Sequence, residues 1–242
     1  MERDDRAPVT TFFADSRLVA ATMATLGENA AHHARVKRLA VADRVRLTDG
    51  AGHIALGSIA AFKRGALDVD ITHVDAVPMP SPIHLRAPIA DRERMLWLAE
   101  KATELGVASW QAVRFHRSAS VSPRGEGPAF AEKTRARMVS ALEQSGGAWL
   151  PAMMPDTTVD SIGVDDGHVP IVLDIAGEPI ARVAAGALNR APVVLVGPEG
   201  GIEVSELDAL ITRGWTRARL AATTLRFETA GMAALAVLRA LT

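Results

Sequence analysis

The spacing of hydrophobic and polar residues gives the first part of the chain a β-type pattern. Short runs alternate with a period of two, which is typical of half-buried strands. They lie at Val45–Leu47, Ile54–Leu56 and Leu67–Ile71. Asp49–Gly50, between the first two runs, is typical of a hairpin turn. This pattern predicts a small β-barrel-like domain over residues 1–76.

The pattern changes after a proline-rich stretch, Pro78–Pro82, which predicts an extended linker. Apolar runs that fit buried parallel strands then alternate with helix-length segments. The predicted strands are Ile83–Ala87, Trp110–Val113, Ile171–Leu173, Val193–Val196 and a short one that begins at Arg219–Leu220. The predicted helices are Arg92–Leu105, Phe130–Ser145, Val204–Thr212 and Glu228–Leu241. This alternation predicts a doubly wound α/β domain over residues 83–242.

Composition narrows the possible chemistry. The 242 residues include no cysteine, which excludes disulfides, thiolate metal sites and a cysteine nucleophile. The charged N-terminus is not typical of a secretory signal, and no apolar run reaches the length of a membrane-spanning helix. We therefore expect a cytoplasmic protein that does not contact membranes.

The net charge of −1, taken alone, argues against a nucleic-acid partner. Two segments favour a nucleic-acid partner. Residues 32–46 hold five basic residues and one acidic residue, and residues 114–137 hold six basic residues and two acidic residues. Each segment has a formal charge of +4, which indicates a polarised surface. His32 and His33 have no partners at metal-ligand spacing, so we predict no metal site.

The segment with the strongest chemical signal is Val193–Gly201, where an apolar strand leads into a loop with three glycines. It matches neither the Walker nor the Rossmann phosphate-binding pattern. The loop is either an ordinary tight turn or a place where the backbone approaches a ligand at the end of a strand. In the second such segment, Thr223–Ala230, Arg226 lies beside predicted core and needs either a carboxylate partner, such as Glu228, or a polar ligand.

Two further motifs carry weak signals by themselves. Lys101 and Glu104 have the spacing of an ion pair on a helix, and Glu143–Gly146 has the composition of a helix C-terminus.

Together these segments resemble the RsmE family of 16S rRNA uracil-N3 methyltransferases, within the SPOUT superfamily. In the N-terminal part the resemblance lies in Phe12–Phe13, His32–His33, Val36–Arg38, Asp43 and Asp49–Gly50. In the C-terminal part it lies in Lys101–Val107, Arg117–Ser118, Glu143–Gly146, Pro151, Val196–Gly201, Glu206–Leu207, Leu225–Arg226 and Glu228–Ala230. The chain departs from the family pattern at Ala221, where the family has glycine, at Thr223, where it has arginine, and at Gly147 and Phe227.

The resemblance implies a PUA-like β-barrel domain that binds RNA, followed by a SPOUT α/β methyltransferase domain with a trefoil knot, in a homodimer. It implies S-adenosylmethionine as cofactor, without a metal, and 16S rRNA in the small ribosomal subunit as substrate. The implied cofactor-binding residues are Leu173, Leu195, Val196, Gly197, Pro198, Glu199, Gly200, Gly201, Leu220, Ala221, Thr224 and Leu225.

The reaction at N3 of uridine requires removal of a proton from a weak acid, and a guanidinium would stabilise the resulting anion. We expect Arg226 to do this, with Glu228 orienting it. The expected RNA-binding residues are His33, Arg35, Lys37, Arg38, Arg114 and Arg117. Two other functions stay open on the sequence alone. One is methylation of another RNA position, such as a ribose 2′-hydroxyl, and the other is a non-catalytic role in rRNA binding or assembly.

Overall fold

A computed structural model describes residues 9–120, 124–163, 165–185 and 190–241. The chain forms two compact units. One unit comprises Met1–Met79 with Leu142–Leu150, and the other comprises Pro80–Ala141 with Pro151–Thr242. No helix among the described residues is long and apolar enough to cross a membrane.

The N-terminal unit contains a five-stranded sheet and one helix. Its elements are β1 (Thr11–Phe13), β2 (Met23–Leu26), α1 (Glu28–Val36), β3 (Arg44–Thr48), β4 (His53–Lys63) and β5 (Ala66–Ala76). The strand order is β1-β3-β4-β5-β2, with β1 parallel to β3 and the other pairs antiparallel. Its core includes Phe12, Leu47 and Ile59, all at most 1% exposed. The expected hairpin around Asp49–Gly50 is confirmed, since β3 and β4 pair across it.

Helix α1 corrects the expectation of a purely β-type N-terminal part. Its buried face consists of Ala30, Ala31 and Ala34, and the rest of the helix is mostly polar. Three small alanines give a weak periodic signal, while the basic residues around them dominate the sequence pattern. Burial of the alanine face against the sheet, rather than a strong amphipathic pattern, therefore stabilises this helix.

The C-terminal unit is a parallel sheet with helices on both faces. Its strands are β6 (His84–Pro88), β7 (Ser109–Arg114), β8 (Ala152–Met153), β9 (Thr157–Thr158), β10 (His168–Pro179), β11 (Ala191–Leu195) and β12 (Thr216–Arg219). Its helices are α2 (Arg92–Glu104), α3 (Pro128–Ser145), α4 (Ile180–Ala185), α5 (Val204–Thr212) and α6 (Phe227–Ala240), with a short 3₁₀ helix at His116–Ser120. The strand order is β12-β10-β11-β6-β7-β8, and β9 pairs with β7.

Alternate residues of the central strands serve the two faces of this sheet. On one face, Val193 and Leu195 of β11 form a buried cluster with Leu210 of α5. On the other face, α6 contacts both β6 and β11, and α2 contacts β6. The continuous apolar runs of the sequence reflect this burial on both sides.

Strand β10 bulges where it pairs with β12, and this bulge shapes the sheet edge. Leu173 and Glu178 both lie opposite Ala218, so the four residues 174–177 leave the ladder. Gly177 lies so close to β12 that a Cβ atom there would come within 2.6 Å of the Ala218 backbone nitrogen. Only glycine permits this contact between two backbones.

The last strand also corrects a sequence expectation. We predicted a strand that begins at Arg219–Leu220, but β12 is Thr216–Arg219 and ends there. The buried residues Trp215 and Ala218 hold this segment in the core, whereas Leu220 already belongs to the following loop.

Candidate functional site

A pocket of about 290 Å³ lies at the carboxyl ends of three neighbouring strands, β10, β11 and β12. Ligands of open α/β sheets bind at this edge, because the connecting loops diverge there. Residues of the β10 bulge, the loop after β11 and the loop after β12 line it, together with one residue of α6. They are Leu173, Asp174, Ile175, Val196, Gly197, Pro198, Gly201, Ile202, Ala218, Arg219, Leu220, Ala221, Thr223, Thr224, Leu225 and Ala230.

The pocket brings together nine of the twelve residues that the sequence indicated for a cofactor. They are Leu173, Val196, Gly197, Pro198, Gly201, Leu220, Ala221, Thr224 and Leu225. The other three do not line it. Leu195 is fully buried in the sheet, Glu199 turns toward Arg94, and Gly200 lies against Arg117.

Sequence reasoning missed Asp174 and Ile175, because the predicted strand ended at Leu173 and no motif marked the residues that follow it. The bulge turns both residues into the pocket. Asp174 is fixed by two hydrogen bonds to Oδ1, from Arg217 Nη2 at 2.6 Å and from the Ala176 backbone N–H at 2.8 Å. A rigidly held carboxylate at the wall of a pocket can accept hydrogen bonds from hydroxyl or ammonium groups of a ligand.

The glycine loop after β11 packs too tightly for larger residues. A Cβ atom at Gly197 would lie 2.6 Å from Cγ1 of Ile202, which itself lines the pocket. By contrast, Ala221 is not among the described residues with positive φ, so its backbone accepts a side chain without strain. The alanine at this departure from the family pattern is therefore compatible with the backbone conformation of the loop.

The structure corrects the expected contact between Arg226 and Glu228. Arg226 is exposed rather than packed against the core, and its side chain has no hydrogen bond or ion pair with a described residue. Glu228 is 9% exposed, and its nearest cation is Arg94 of α2, with 3.9 Å between Nε and Oε1. The same guanidinium lies 3.9 Å from Glu199 of the glycine loop, so Arg94 connects α2 with both segments beside the pocket.

The 3₁₀ helix is attached to the start of α5 through Glu206. The Glu206 carboxylate is buried and accepts hydrogen bonds from two backbone N–H groups, those of His116 at 2.7 Å and Glu203 at 2.8 Å. Arg117 completes this attachment by donating to the Gly200 carbonyl at 3.0 Å. His116, Glu203 and Glu206 are also close enough to share a metal ion, but both Glu206 oxygens already serve the backbone. We assign the group a structural role.

Two weakly signalled motifs have defined contacts. The expected Lys101–Glu104 ion pair is confirmed at 2.7 Å. The second motif ends α3 at Ser145, as its composition predicted. The Oε1 atom of Glu143 accepts a hydrogen bond from the Phe13 backbone N–H at 2.8 Å, and burial raises the pKa of the Glu143 carboxyl.

The residues expected to bind RNA lie in both units. His33 packs edge-on against Phe12, with ring centroids 5.6 Å apart, and Arg35 lies over Phe62 at 5.7 Å. Lys37 and Arg38 at the end of α1 are exposed. In the C-terminal unit, Arg114 pairs with Glu126, and Arg117 is engaged with the glycine loop.

One unit thus contains a small five-stranded sheet. The other is an α/β unit whose parallel sheet has a loop-lined ligand site at its strand ends. The chain belongs to the RNA methyltransferase family, because the family model for the RNA methyltransferase domain matches residues 77–239. A model for the RNA methyltransferase PUA domain matches residues 26–72. The resemblance found in the sequence is confirmed.

Relatives of known name share most of the chain. The ribosomal RNA small subunit methyltransferase E of Mycobacterium bovis is 29% identical over 226 residues, which cover 89% of this chain and 85% of that protein. The Synechocystis protein of the same name is 23% identical over an aligned region that covers 94% of this chain and 76% of that protein. The crystal structure of the Neisseria gonorrhoeae ribosomal RNA small subunit methyltransferase E, bound to S-adenosyl methionine, superposes with a TM-score of 0.83 at 24% identity, covering 97% and 98% of the two chains.

The contacts of His116 predict a pH-dependent contribution to stability. Hydrogen bonding to Asp160 and then to Glu203 raises the pKa of His116 above its usual value of 6.5. Because the folded pKa is the higher one, the stabilisation is complete below the unfolded pKa and is lost as the pH rises through the folded pKa. The difference in free energy of unfolding between the wild type and His116→Gln, measured by urea denaturation, is therefore expected to be largest in mild acid.

The control for this measurement is His73→Gln, which removes an exposed imidazole that pairs with Asp75 on β5. A His116→Gln difference that stayed constant from mild acid to mild alkali would contradict the assigned charge interactions.

Proposed function

We propose that the protein transfers the methyl group of S-adenosylmethionine to N3 of a uridine in 16S rRNA of the small ribosomal subunit. The observation that carries the proposal is the loop-lined pocket at the carboxyl ends of β10, β11 and β12, in a chain of the RNA methyltransferase family. The names of the relatives support small-subunit ribosomal RNA as the substrate. The S-adenosyl methionine bound in the gonococcal structure supports the choice of cofactor.

The pocket's residues fit this cofactor. Its volume of about 290 Å³ is near the lower end of small-molecule sites. The backbone of Val196–Gly201 and Leu220–Leu225 offers hydrogen-bond donors and acceptors at close range, as recognition of an adenine edge requires. The fixed carboxylate of Asp174 suits ribose hydroxyls or an amino group. When bound, the sulfonium supplies a methyl group that needs no further activation.

Methylation at N3 releases the N3 proton to the solvent, and the chain's own residues must stabilise the charge that its removal leaves on the uracil ring. Arg226 emerges from the loop that lines the pocket, is exposed, and has no ionic partner among described residues. We assign it to the negative charge that develops on the uracil ring, since a pre-positioned cation stabilises such charge. N3 lies on the pairing edge of the base, so the uridine must be unpaired or flipped out.

Glu228 acts in this proposal as a positioning residue. Arg94 lies 3.9 Å from its Oε1, and the pair connects the first turn of α6 to α2. Because Arg226 immediately precedes α6, this connection fixes the point from which the Arg226 side chain extends. Glu199, the second carboxylate near Arg94, ties the glycine loop to the same helix.

The wider organisation follows the same proposal. We assign RNA binding to residues 1–76 and methyl transfer to residues 83–242. We also propose a trefoil knot in the second domain, which the resemblance to the family implies. We also propose a homodimer that acts in the cytoplasm, on the analogy of the family named above.

Restoration of the modified nucleoside tests the proposed function. The protein is expressed in a strain whose 16S rRNA lacks N3-methyluridine, and both the nucleosides and the ribonuclease fragments of that rRNA are analysed by mass spectrometry. We expect N3-methyluridine to reappear at a single position. A 2′-O-methylated nucleoside would replace the proposal with another RNA methylation, and no new methyl group would favour a non-catalytic role in rRNA binding.

Arg226→Ala tests the assigned catalytic role. We expect turnover to fall by roughly 10²–10³-fold, the usual effect of removing a group that stabilises developing charge. The affinity for S-adenosylmethionine, measured by calorimetry, is expected to stay unchanged, because Arg226 does not line the pocket.

Arg182→Ala is the matched control for this variant, since it removes a guanidinium whose side chain is 80% exposed on α4. Turnover of Arg226→Ala equal to that of the control would refute the assignment.

A further inference from the structure

Arg86 is a half-buried cation of the C-terminal unit without an ion pair to any described residue. Its Nε is buried and has no hydrogen-bond partner there, and its Nη1 donates one long hydrogen bond, 3.3 Å, to Ser109 Oγ. Burial lowers the pKa of Arg86. Arginine side chains nevertheless keep their charge in proteins. A partly buried guanidinium with so little compensation is costly unless an anion joins it.

Three other polar groups converge on the same place. Ser109 is 5% exposed, and its Oγ lies 2.7 Å from Nδ1 of His84. The His84 ring meets the His168 ring edge-on, with centroids 4.8 Å apart. His84 and Ser109 are opposite each other on β6 and β7, and Arg86 follows two residues later on the same face of the sheet.

The surroundings of this cluster are positive. Burial, His168 and Arg86 together lower the pKa of His84 to about 4. The carboxylate whose charge reaches the cluster is that of Asp165, which is 95% exposed and lies 3.9 Å from His168. It is too exposed to neutralise a buried guanidinium. Among the described residues, this site therefore holds a guanidinium, a hydroxyl and two imidazoles, each able to donate a hydrogen bond, and no ion pair joins the guanidinium.

We propose that Arg86, His84, His168 and Ser109 form an oxyanion site that binds a phosphodiester of the RNA substrate. This inference rests on the proposed function. A guanidinium presents a fork of N–H donors that matches two phosphate oxygens, and a hydroxyl and imidazoles supply further donors. A phosphodiester is the anion that the substrate carries at every nucleotide.

The position of the cluster relates it to the cofactor pocket. His168 opens β10, and Leu173, five residues later on the same strand, lines the pocket. Five residues of a parallel strand span about 16 Å. The site would therefore hold the RNA backbone at a distance from the methylated base, and contribute to binding rather than to the chemical step.

Arg86→Gln tests this role through RNA affinity. The probe is a labelled fragment of 16S rRNA, titrated with the full-length protein at several salt concentrations. We expect about tenfold weaker binding, the effect of losing a charged hydrogen bond, and a salt slope reduced by about one counterion. In methylation assays KM for RNA should rise with kcat retained, and the affinity for S-adenosylmethionine should not change.

Arg182→Gln, which loses an equal charge on exposed α4, is the matched control. His168→Gln is a second variant for the case that Arg86→Gln does not fold, and it should weaken RNA binding in the same direction. Folded variants with wild-type RNA affinity and salt slope, or with losses equal to the control, would overturn the site. RNA binding that depends on Arg86 without any methylation would overturn the proposed function instead.

Inorganic phosphate gives a readout that does not require RNA. An anion in the cluster favours the protonated imidazole, so phosphate should raise the pKa of His84 in an NMR titration. The Arg86→Gln protein should lose this response. A His84 pKa unaffected by phosphate in the wild type would contradict an oxyanion site.

Discussion

The close approach of backbone segments at one edge of the parallel sheet is the constraint on which the rest of the C-terminal unit depends. Gly177 brings the β10 bulge against the β12 backbone, and Gly197, in the loop after β11, leaves room for the Ile202 side chain of the same loop. These contacts bring three strand ends together around one pocket. Its lining combines glycine-containing loop backbone with the side chains of residues such as Leu173, Asp174 and Ile202.

The arginines of this unit differ in function because they differ in partners. Arg94 and Arg217 each meet a carboxylate and hold segments of the pocket in place. Arg226 extends from the pocket loop without an ionic partner among the described residues, which leaves its charge available to a substrate. Arg86 is half-buried and, among the described residues, has a long hydrogen bond to the Ser109 hydroxyl but no ion pair. Net charge, close to zero for the chain, conceals this distribution.

The sequence predicted the four central strands of the parallel sheet, β6, β7, β10 and β11, because burial on both faces leaves continuous apolar runs such as Val193–Val196. It did not predict the two-residue strands β8 and β9. It also located most of the pocket through the glycine loop. It could not show the β10 bulge, since Asp174 and Ile175 break no local rule, and their position depends on pairing with β12. The sequence could not predict the role of Arg94 either, because its carboxylate neighbours Glu199 and Glu228 lie more than a hundred residues away in the chain.

The central claim is that the two pocket loops, Val196–Gly201 and Leu220–Leu225, hold S-adenosylmethionine. Calorimetric titration of the cofactor, combined with hydrogen exchange of the bound protein, tests it. The account predicts saturable binding to the wild type, protection of Val196–Gly201 and Leu220–Leu225, and weaker binding by Gly197→Ala, whose added methyl group displaces Ile202. Absence of binding at millimolar cofactor, or protection confined to other segments, would contradict it.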